Sequence, residues 1–461
     1  MRRFFEPNAV AVIGASATEG RIGFEVLRSL LPVSDRIPVY PVNPHRKEIL
    51  GLPVYESIVS LPQAPDLAVL AVAASAVPDT IRKCGERGVK RVVIVSGGFK
   101  ELGKDGEEIE KRSVETARQY GIRIIGPNCV GILNGTNGMD TLFQPAYAMS
   151  RPKEGPVAIA SQSGTYGLTL VEWLAEEGIG VSKFASIVNK ADVGEMELLE
   201  YFGDDPATRV IGMYLEGLQD GRALMKLAEE IGRTKPIVMM KAGRTSSGVA
   251  AARSHTGSLA GEYRVFAGAM AQCGVIVADD VEEMFDIIKL LALQPLPKGG
   301  RVSMITNGAG PCVLASDLIE ESRELSLARL SDATTETLRN QWPPYFVIGN
   351  PIDVTGSAEA AHYETGLRAM ASDPGVDIMV PAFAMQDGPI AHTIEDLHRA
   401  FAEVNRLGKT MAAVAAGGAF TREQMLRSQH AGVPMLPTAS RLVRALDKVV
   451  GYVQWRNAIP L

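Results

Sequence analysis

Cysteine and histidine are both scarce in this sequence, with four cysteines and six histidines spread over 461 residues. Cys84, Cys129, Cys273 and Cys312 form no C-x-x-C pair, and no histidine stands at zinc-ligand spacing from them. That excludes a disulfide framework and a structural zinc site, leaves no metal-ligand set, and fits a reducing cytoplasm. An excess of positive charge is missing as well. With 47 basic against 53 acidic residues and a formal net charge of −6, no basic field exists to attract a nucleic-acid backbone or an anionic membrane. Any phosphate must be gripped locally. Long apolar runs are absent too, since Leu67 to Val77 falls far short of the roughly 20 residues that a membrane span needs. Ala9 to Ala17, following Arg2 and Arg3, imitates a secretory signal, but Glu6, Pro7 and Asn8 interrupt it and a first strand is the expectation.

What is abundant is glycine. The 46 glycines have no collagen-like period, as expected of many tight turns where backbone approaches a neighbour or a ligand. At roughly 150 residues per domain the length predicts about three folding units. Short β-branched runs ending in glycine or serine alternate with amphipathic stretches, so the class is α/β, with parallel sheets covered by helices. Strands are expected at Ala9 to Ile13, Val39 to Val42, Leu67 to Val72, Arg91 to Val95 and Ile122 to Ile125. Punctuated linkers at Arg151 to Gly155 and Leu296 to Gly300 divide the chain into residues 1–150, 151–297 and 298–461.

Both linkers lead into a strand and a glycine-containing turn, Pro156 to Gly164 and Arg301 to Gly310. Both segments also end alike, at Cys273-Gly274-Val275-Ile276-Val277 and Ala431-Gly432-Val433-Pro434-Met435. Two similar α/β domains in tandem are inferred, against the alternative of a chance recurrence.

The loop from Gly14 through Ser16, Gly20 and Arg21 to Gly23 follows the first strand and opens a helix, where backbone N–H groups favour an anion. It is expected to hold a phosphate or pyrophosphate; the alternative is a tight turn without a ligand. The G-x-G-x-x-G spacing is absent, and the second strand ends in Asn43-Pro44-His45-Arg46-Lys47 where an NAD enzyme places an acid. Arg46 and Lys47 suit a ribose phosphate, as in coenzyme A or NADP, and Asn43 a sugar or base.

These segments, with Gly97-Gly98-Phe99-Lys100-Glu101 and Gly126-Pro127-Asn128-Cys129-Val130-Gly131, resemble the CoA-binding domain of nucleoside-diphosphate-forming acyl-CoA synthetases, relatives of succinyl-CoA ligase. The resemblance implies a Rossmann-like CoA-binding domain followed by two flavodoxin-like domains. It places CoA at Gly14, Ser16, Gly20, Arg21, Gly23, Asn43, Pro44, Arg46, Lys47, Gly97, Gly98, Phe99, Asn128 and Cys129. Cys129 is open to two readings, a nucleophile or else a buried or CoA-packing side chain.

Ser254-His255-Thr256-Gly257-Ser258-Leu259-Ala260-Gly261 is the most specific motif in the chain. By spacing alone His255 is open between a surface residue, a helix cap and a catalytic group. The motif resembles the family's phosphohistidine loop, which implies that His255 stores a phosphoryl group while Glu216 holds its other ring nitrogen; without the resemblance Glu216 reads equally as a helix cap. Lys190 and Asp192 lie in a further family segment, in which Val188 stands where relatives usually have glycine. Ser161-Gln162-Ser163-Gly164 and Asn307-Gly308-Ala309-Gly310 each open a helix after a strand, and the resemblance implies that the two clamp one phosphate. Asn350 to Gly356 resembles a further segment of the second such domain, and His430 reads as structural.

No segment is left over for the family's ATP-grasp domain. The resemblance therefore implies an alpha subunit of an ADP-forming acyl-CoA synthetase, with acetate as its acid. A separate ATP-grasp beta subunit would carry ADP or ATP and Mg2+ in an α2β2 heterotetramer. The rival expectations are a non-catalytic CoA-binding regulatory protein, a CoA-linked acetyltransferase and an NADP dehydrogenase.

Overall fold

The computed structural model of the chain describes residues 1–250, 262–390 and 393–458. They fall into two compact units, Met1–Val277 and Ala278–Leu461. The first unit opens with a parallel sheet of β1 (Val10–Ile13), β2 (Val39–Val42), β3 (Leu67–Leu70), β4 (Arg91–Ile94) and β5 (Arg123–Ile125) in the order β2-β1-β3-β4-β5. The five expected strands are all present. β1 and β3 are buried along their whole length, which is why they read as unbroken apolar runs rather than alternating ones. Helix α1 (Ile22–Leu30) follows the first glycine loop, and α2 (Lys104–Tyr120) ends on Gly121 in the left-handed conformation.

The second sheet of this unit consists of β6 (Ile132–Asn134), β7 (Met139–Asp140), β8 (Val157–Ser161), β9 (Val181–Ser186), β10 (Val210–Leu215), β11 (Ile237–Lys241) and β12 (Ile276–Val277). Its order is β12-β11-β10-β8-β9-β6-β7. β6 and β7, within the range 1–150, add an antiparallel edge to this second sheet through the pairing Lys183↔Asn134 to Ala185↔Ile132. Its helices include α3 (Gly164–Glu176), α4 (Glu195–Asp204), α5 (Gly221–Gly232) and α6 (Tyr263–Gln272). A continuous apolar core joins the two sheets, with Val10, Leu67 and Ile125 in the same cluster as Ala158, Leu199 and Met239.

The second unit begins with α7 (Val281–Leu293) and holds a parallel sheet of β13 (Arg301–Thr306), β14 (Ser326–Leu327), β15 (Ile352–Asp353), β16 (Ile378–Phe383), β17 (Thr410–Met411), β18 (Ala413–Ala415) and β19 (Met435–Leu436). The main path is β14-β13-β16-β18-β19, with β15 on β13 and β17 on β16. β14 and β15 pair with opposite ends of β13, and Asn350 fills the gap between them. Its Oδ1 accepts the Met304 N–H at 2.9 Å, and its Nδ2 donates to Val302 O and Ala328 O at 2.7 and 3.0 Å.

The parallel strands of each sheet follow the flavodoxin-type order: β1 lies between β2 and β3, β8 between β9 and β10, and β13 between β16 on one side and β14 with β15 on the other. The tandem repeat is visible atom by atom in the second and third. Ser161 Oγ accepts the Ser163 N–H at 3.2 Å and donates to Ser163 O at 2.6 Å. Thr306 Oγ1 likewise accepts the Gly308 N–H at 3.0 Å and donates to Gly308 O at 2.8 Å. A hydroxyl therefore closes the same turn in each copy before α3 and before α8 (Gly310–Glu321). Among the described residues no helix is long and apolar enough to cross a membrane.

Candidate functional site

In an open parallel sheet, ligands gather at the carboxyl ends of the strands, beside the point where the strand order reverses. In the first sheet that point lies between β1 and β3, and Gly14 occupies it. Gly14 sits at φ +89°, and a Cβ there would lie 2.4 Å from Ala71 O, so only glycine lets the two strand ends approach. A Cβ on Gly23 would meet Gly14 O at 2.1 Å, so α1 is drawn tightly beneath the loop. Ser16 Oγ accepts the Thr18 N–H at 3.0 Å. Buried Glu25 accepts the Gly20 N–H at 2.9 Å through one oxygen and pairs with Arg28 through the other. No side chain caps the N-terminus of α1, and residues 17–22 are exposed, Arg21 among them. Uncapped backbone N–H groups at a helix start, with a cation beside them, form an arrangement that suits an anion.

Pro44, Arg46 and Lys47 are exposed beside β2, as a phosphate-binding segment requires. Asn43 has a different task. Its Nδ2 donates to Ala15 O at 2.8 Å and its Oδ1 accepts the His45 N–H at 2.8 Å, so its amide ties the second loop to the first. Gly97 and Gly98 lie over Glu101, whose Oε1 accepts the N–H groups of Gly98 and Phe99 at 2.6 and 3.0 Å. The Phe99 side chain is fully buried in the core, so only its backbone can face a ligand. Cys129 is similarly withdrawn: it is 1% exposed, its thiol approaches Ile94 O at 3.3 Å, and burial pushes its pKa up to about 12. Burial disfavours a thiolate here, and the side chain packs in the core cluster of the unit.

The first sheet meets the second through the loop after β9. Ala191 N–H donates to Gly126 O at 3.1 Å, Asn189 N–H to Pro127 O at 3.4 Å and Val193 N–H to Ile124 O at 3.0 Å. Asp192 fixes the same joint, accepting from Ile124 N–H and Arg123 Nε, both at 2.8 Å. Asn189, 1% exposed, donates from Nδ2 to Glu101 and Glu110 at 2.7 and 2.8 Å. Burial raises the pKa of Glu110; at Glu101 burial is outweighed by hydrogen bonds from Asn189, Phe99 and Gly98, which lower it. Lys190 pairs with buried Glu195 at 2.6 Å and donates to Gly217 O at 2.9 Å. The backbone is strained here: Asn128, Val188 and Lys190 have φ of +59°, +21° and +53°. Val188 is thus a β-branched residue in a conformation that glycine adopts freely.

At the switch point of the second sheet, Ser161 ends β8 and lies in register with Tyr214 on β10. Gln162 Oε1 accepts the N–H groups of Glu216 and Gly217 at 2.9 and 3.2 Å, clamping the carboxylate-bearing loop to the strand that opens α3. Ser163 caps α3 through the Tyr166 N–H. Glu216 is 6% exposed, so its side chain is no solvated helix cap. Burial, with the Glu216 charge second, raises the pKa of Tyr214. The structure therefore brings Ser161, Gln162, Ser163, Gly164 and Glu216 together. His255 lies outside the described residues.

In the second unit the register Thr306↔Ala382 makes Asn307 the counterpart of Gln162 and Ala384 that of Glu216. Asn307 Oδ1 accepts the Ala384 N–H at 2.9 Å, and its Nδ2 donates to Asp387 at 2.7 Å. The clamp is retained on one N–H, with alanine at the position of Glu216 and a carboxylate, Asp387, bound to the clamping amide itself. Between β18 and α9 (Ala419–His430) only residues 416–418 intervene, whereas residues 242–262 separate β11 from α6. The second copy lacks the segment in which the first carries His255. His430 ends α9, in keeping with a structural role. Among the described residues no group of three or more His, Cys, Asp or Glu side chains is placed to hold a metal ion.

Three family models match in sequence: a CoA binding domain over residues 8–135, a succinyl-CoA ligase like flavodoxin domain over 154–291 and a ligase-CoA domain over 302–415. The acetate–CoA ligase [ADP-forming] II subunit alpha of Pyrococcus furiosus is 40% identical over 94% of this chain and 93% of its own. The chain belongs to the ADP-forming CoA ligase family. A longer relative, acetate–CoA ligase [ADP-forming] I of Archaeoglobus fulgidus, is 38% identical across 98% of this chain, which spans 64% of that protein. The acetyl-coenzyme A synthetase 1 of Candidatus Korarchaeum cryptofilum, solved in complex with phosphate and ADP, superposes with a TM-score of 0.90 at 35% identity, covering 99% of this chain and 97% of that one. Two of these relatives are named as ligases and one as a synthetase, which favours the catalytic expectation over the regulatory one.

Proposed function

We propose that this chain is the CoA-binding, phosphoryl-carrying alpha subunit of an ADP-forming acetate–CoA ligase. A phosphate oxygen attacks the thioester carbonyl, the C–S bond breaks, and acetyl phosphate forms as the CoA thiolate departs. The neutral ring nitrogen of His255 then attacks phosphorus; the P–O bond to acetate breaks as the P–N bond forms, and acetate leaves. ADP on the partner subunit takes the phosphoryl group and becomes ATP, and the reverse sequence activates acetate.

Residues 1–150 hold CoA in this scheme. The loop of Gly14, Ser16, Gly20, Arg21 and Gly23 receives the pyrophosphate, Arg46 and Lys47 the ribose phosphate, and Gly97, Gly98 and Asn128 border the pantetheine; the tight cradle at Gly14 and the open end of α1 suit such a ligand. Residues 151–297 carry His255, with Glu216 orienting its imidazole and Ser161 to Gly164 supplying N–H donors to phosphate. Residues 298–461 offer a second set of donors at Asn307 to Gly310. The partner is an ATP-grasp beta subunit that carries nucleotide and Mg2+ in an α2β2 assembly, in the cytoplasm.

The observation that carries this proposal is the Gln162 clamp, which holds a buried glutamate beside a helix N-terminus at a strand-order reversal. The test is incubation of the chain with acetyl-CoA and phosphate, followed by mass spectrometry for an acid-labile phosphoryl group. Labelling on His255, lost in His255→Ala with CoA affinity retained, is expected. No labelling across several acyl-CoAs, with or without a beta subunit, refutes it.

A further inference from the structure

The first unit contains a pocket lined by none of the described residues assigned to CoA or to phosphate. It is an open cavity of about 530 Å³ between the N-terminal ends of α5 and α6. Leu218, Met225, Phe266, Ala269 and Met270 give it apolar walls, and Lys241, the last residue of β11, lines it as well. No lining residue belongs to the CoA loops or to Ser161–Gly164.

Lys241 is the anomaly. It is 3% exposed, and its ammonium donates to Ala242 O at 3.0 Å and lies 6.0 Å from the centre of the Phe266 ring. An ammonium carries three N–H donors, and among the described residues no carboxylate forms an ion pair with it. The acids on the pocket rim are differently placed: Asp220 caps α5 by accepting the Ala223 N–H at 2.9 Å, and Glu262 is exposed. Other buried lysines of the unit do have counter-ions, Lys183 with Asp205 at 3.1 Å and Lys190 with Glu195 at 2.6 Å. Burying an ammonium without an anion is costly, and burial indeed lowers the pKa of Lys241.

We propose that this pocket binds a small organic acid in which an apolar chain or ring carries one carboxylate. The carboxylate supplies the anion that Lys241 lacks, and the apolar body packs on Phe266, Met225 and Met270. The volume lies within the range of pockets that enclose small organic ligands, and a wall that is apolar on one side and carries Arg222 as a second cation beside Lys241, with Asp220 and Glu262 at the rim, selects by charge and by size together. Among the described residues, none of those assigned to CoA or to phosphate lines this pocket.

The test measures binding to the full chain by saturation-transfer NMR and calorimetry with phenylacetate as the probe. Acetate, which lacks the apolar body, and 2-phenylethanol, which lacks the charge, serve as comparators. Each comparator should bind at least about tenfold more weakly than phenylacetate. Lys241→Met should remove the preference for phenylacetate over 2-phenylethanol, and Met225→Trp, which fills the cavity from α5, should abolish binding of both; melting curves establish that each variant folds. Saturating CoA should leave phenylacetate bound. The proposal is overturned by absence of saturable binding at millimolar phenylacetate, by equal affinity in both variants, or by displacement with CoA.

Discussion

Gln162→Leu tests the central joint of the phosphoryl site. The side chain is 2% exposed, and its Oε1 accepts two backbone N–H groups, of Glu216 and Gly217. Leucine fills similar space but accepts nothing, so two buried donors lose their acceptor. At about 1–3 kcal/mol for each orphaned group, the expected destabilisation is about 2–4 kcal/mol after partial relaxation. For a cooperative unit of this size it would lower Tm by roughly 3–7 °C. Urea denaturation of the full chain, with CoA affinity measured in parallel, reads the effect. Stability should fall and His255 labelling should drop at least tenfold, while CoA affinity stays within about twofold, because the first glycine loop is untouched. Gln162→Glu keeps an acceptor but adds charge beside Glu216; it should lose less stability than Gln162→Leu and still impair labelling. A change below about 0.5 kcal/mol in Gln162→Leu, with full labelling, would refute the view that this amide holds Glu216 in place.

Gly14→Ala forces a Cβ to within 2.4 Å of Ala71 O at a positive φ, so at least tenfold weaker CoA binding by calorimetry and a loss of about 2 kcal/mol or more in stability are expected. The Lys183–Asp205 pair predicts a pH effect. Burial raises the Asp205 pKa, but Thr208 and Lys183 outweigh it, so the folded value is lowered. Its stabilisation is then complete above the usual carboxylate value near about 4 and disappears as pH falls through the lower folded value. Lys183→Met should cost about 3–5 kcal/mol at neutral pH, and the gap from the unmodified chain should narrow below about pH 4 in denaturation curves. Cys129, buried with a thiol pKa of about 12, should resist iodoacetamide at pH 8 until denaturant is added. Cys129→Ala should retain His255 labelling, and loss of labelling in a folded variant would contradict its assignment to the core.

The legibility of the site differed by residue. Gly14 was readable, because a glycine between a buried β-branched run and a helix marks a tight turn at a strand end. Asn43 and Phe99 were readable as members of ligand loops but not by role, since one spends its amide on Ala15 and His45 and the other turns into the core. Asn189 and Glu25 drew no ligand assignment from the sequence, yet each positions a loop through partners distant along the chain or across a turn. Lys241 ends an apolar strand and belongs to no motif, and only the lack of a paired carboxylate among the described residues sets it apart.

By itself the sequence determined the α/β class, the strands of the first sheet, the tandem repeat and the family, because hydrophobic period, turn glycines and short motifs are local properties. Tertiary structure decided which strand ends meet. Gln162 and Glu216 are 54 residues apart along the chain and share hydrogen bonds because β8 and β10 are neighbours at the reversal of strand order. It also decided that β6 and β7 extend the second sheet, and that the second copy keeps the hydroxyl turn and amide clamp with Ala384 at the position of Glu216. Pairing between strands is non-local, and so is the charge balance around a buried side chain; neither is written in the residues next to it.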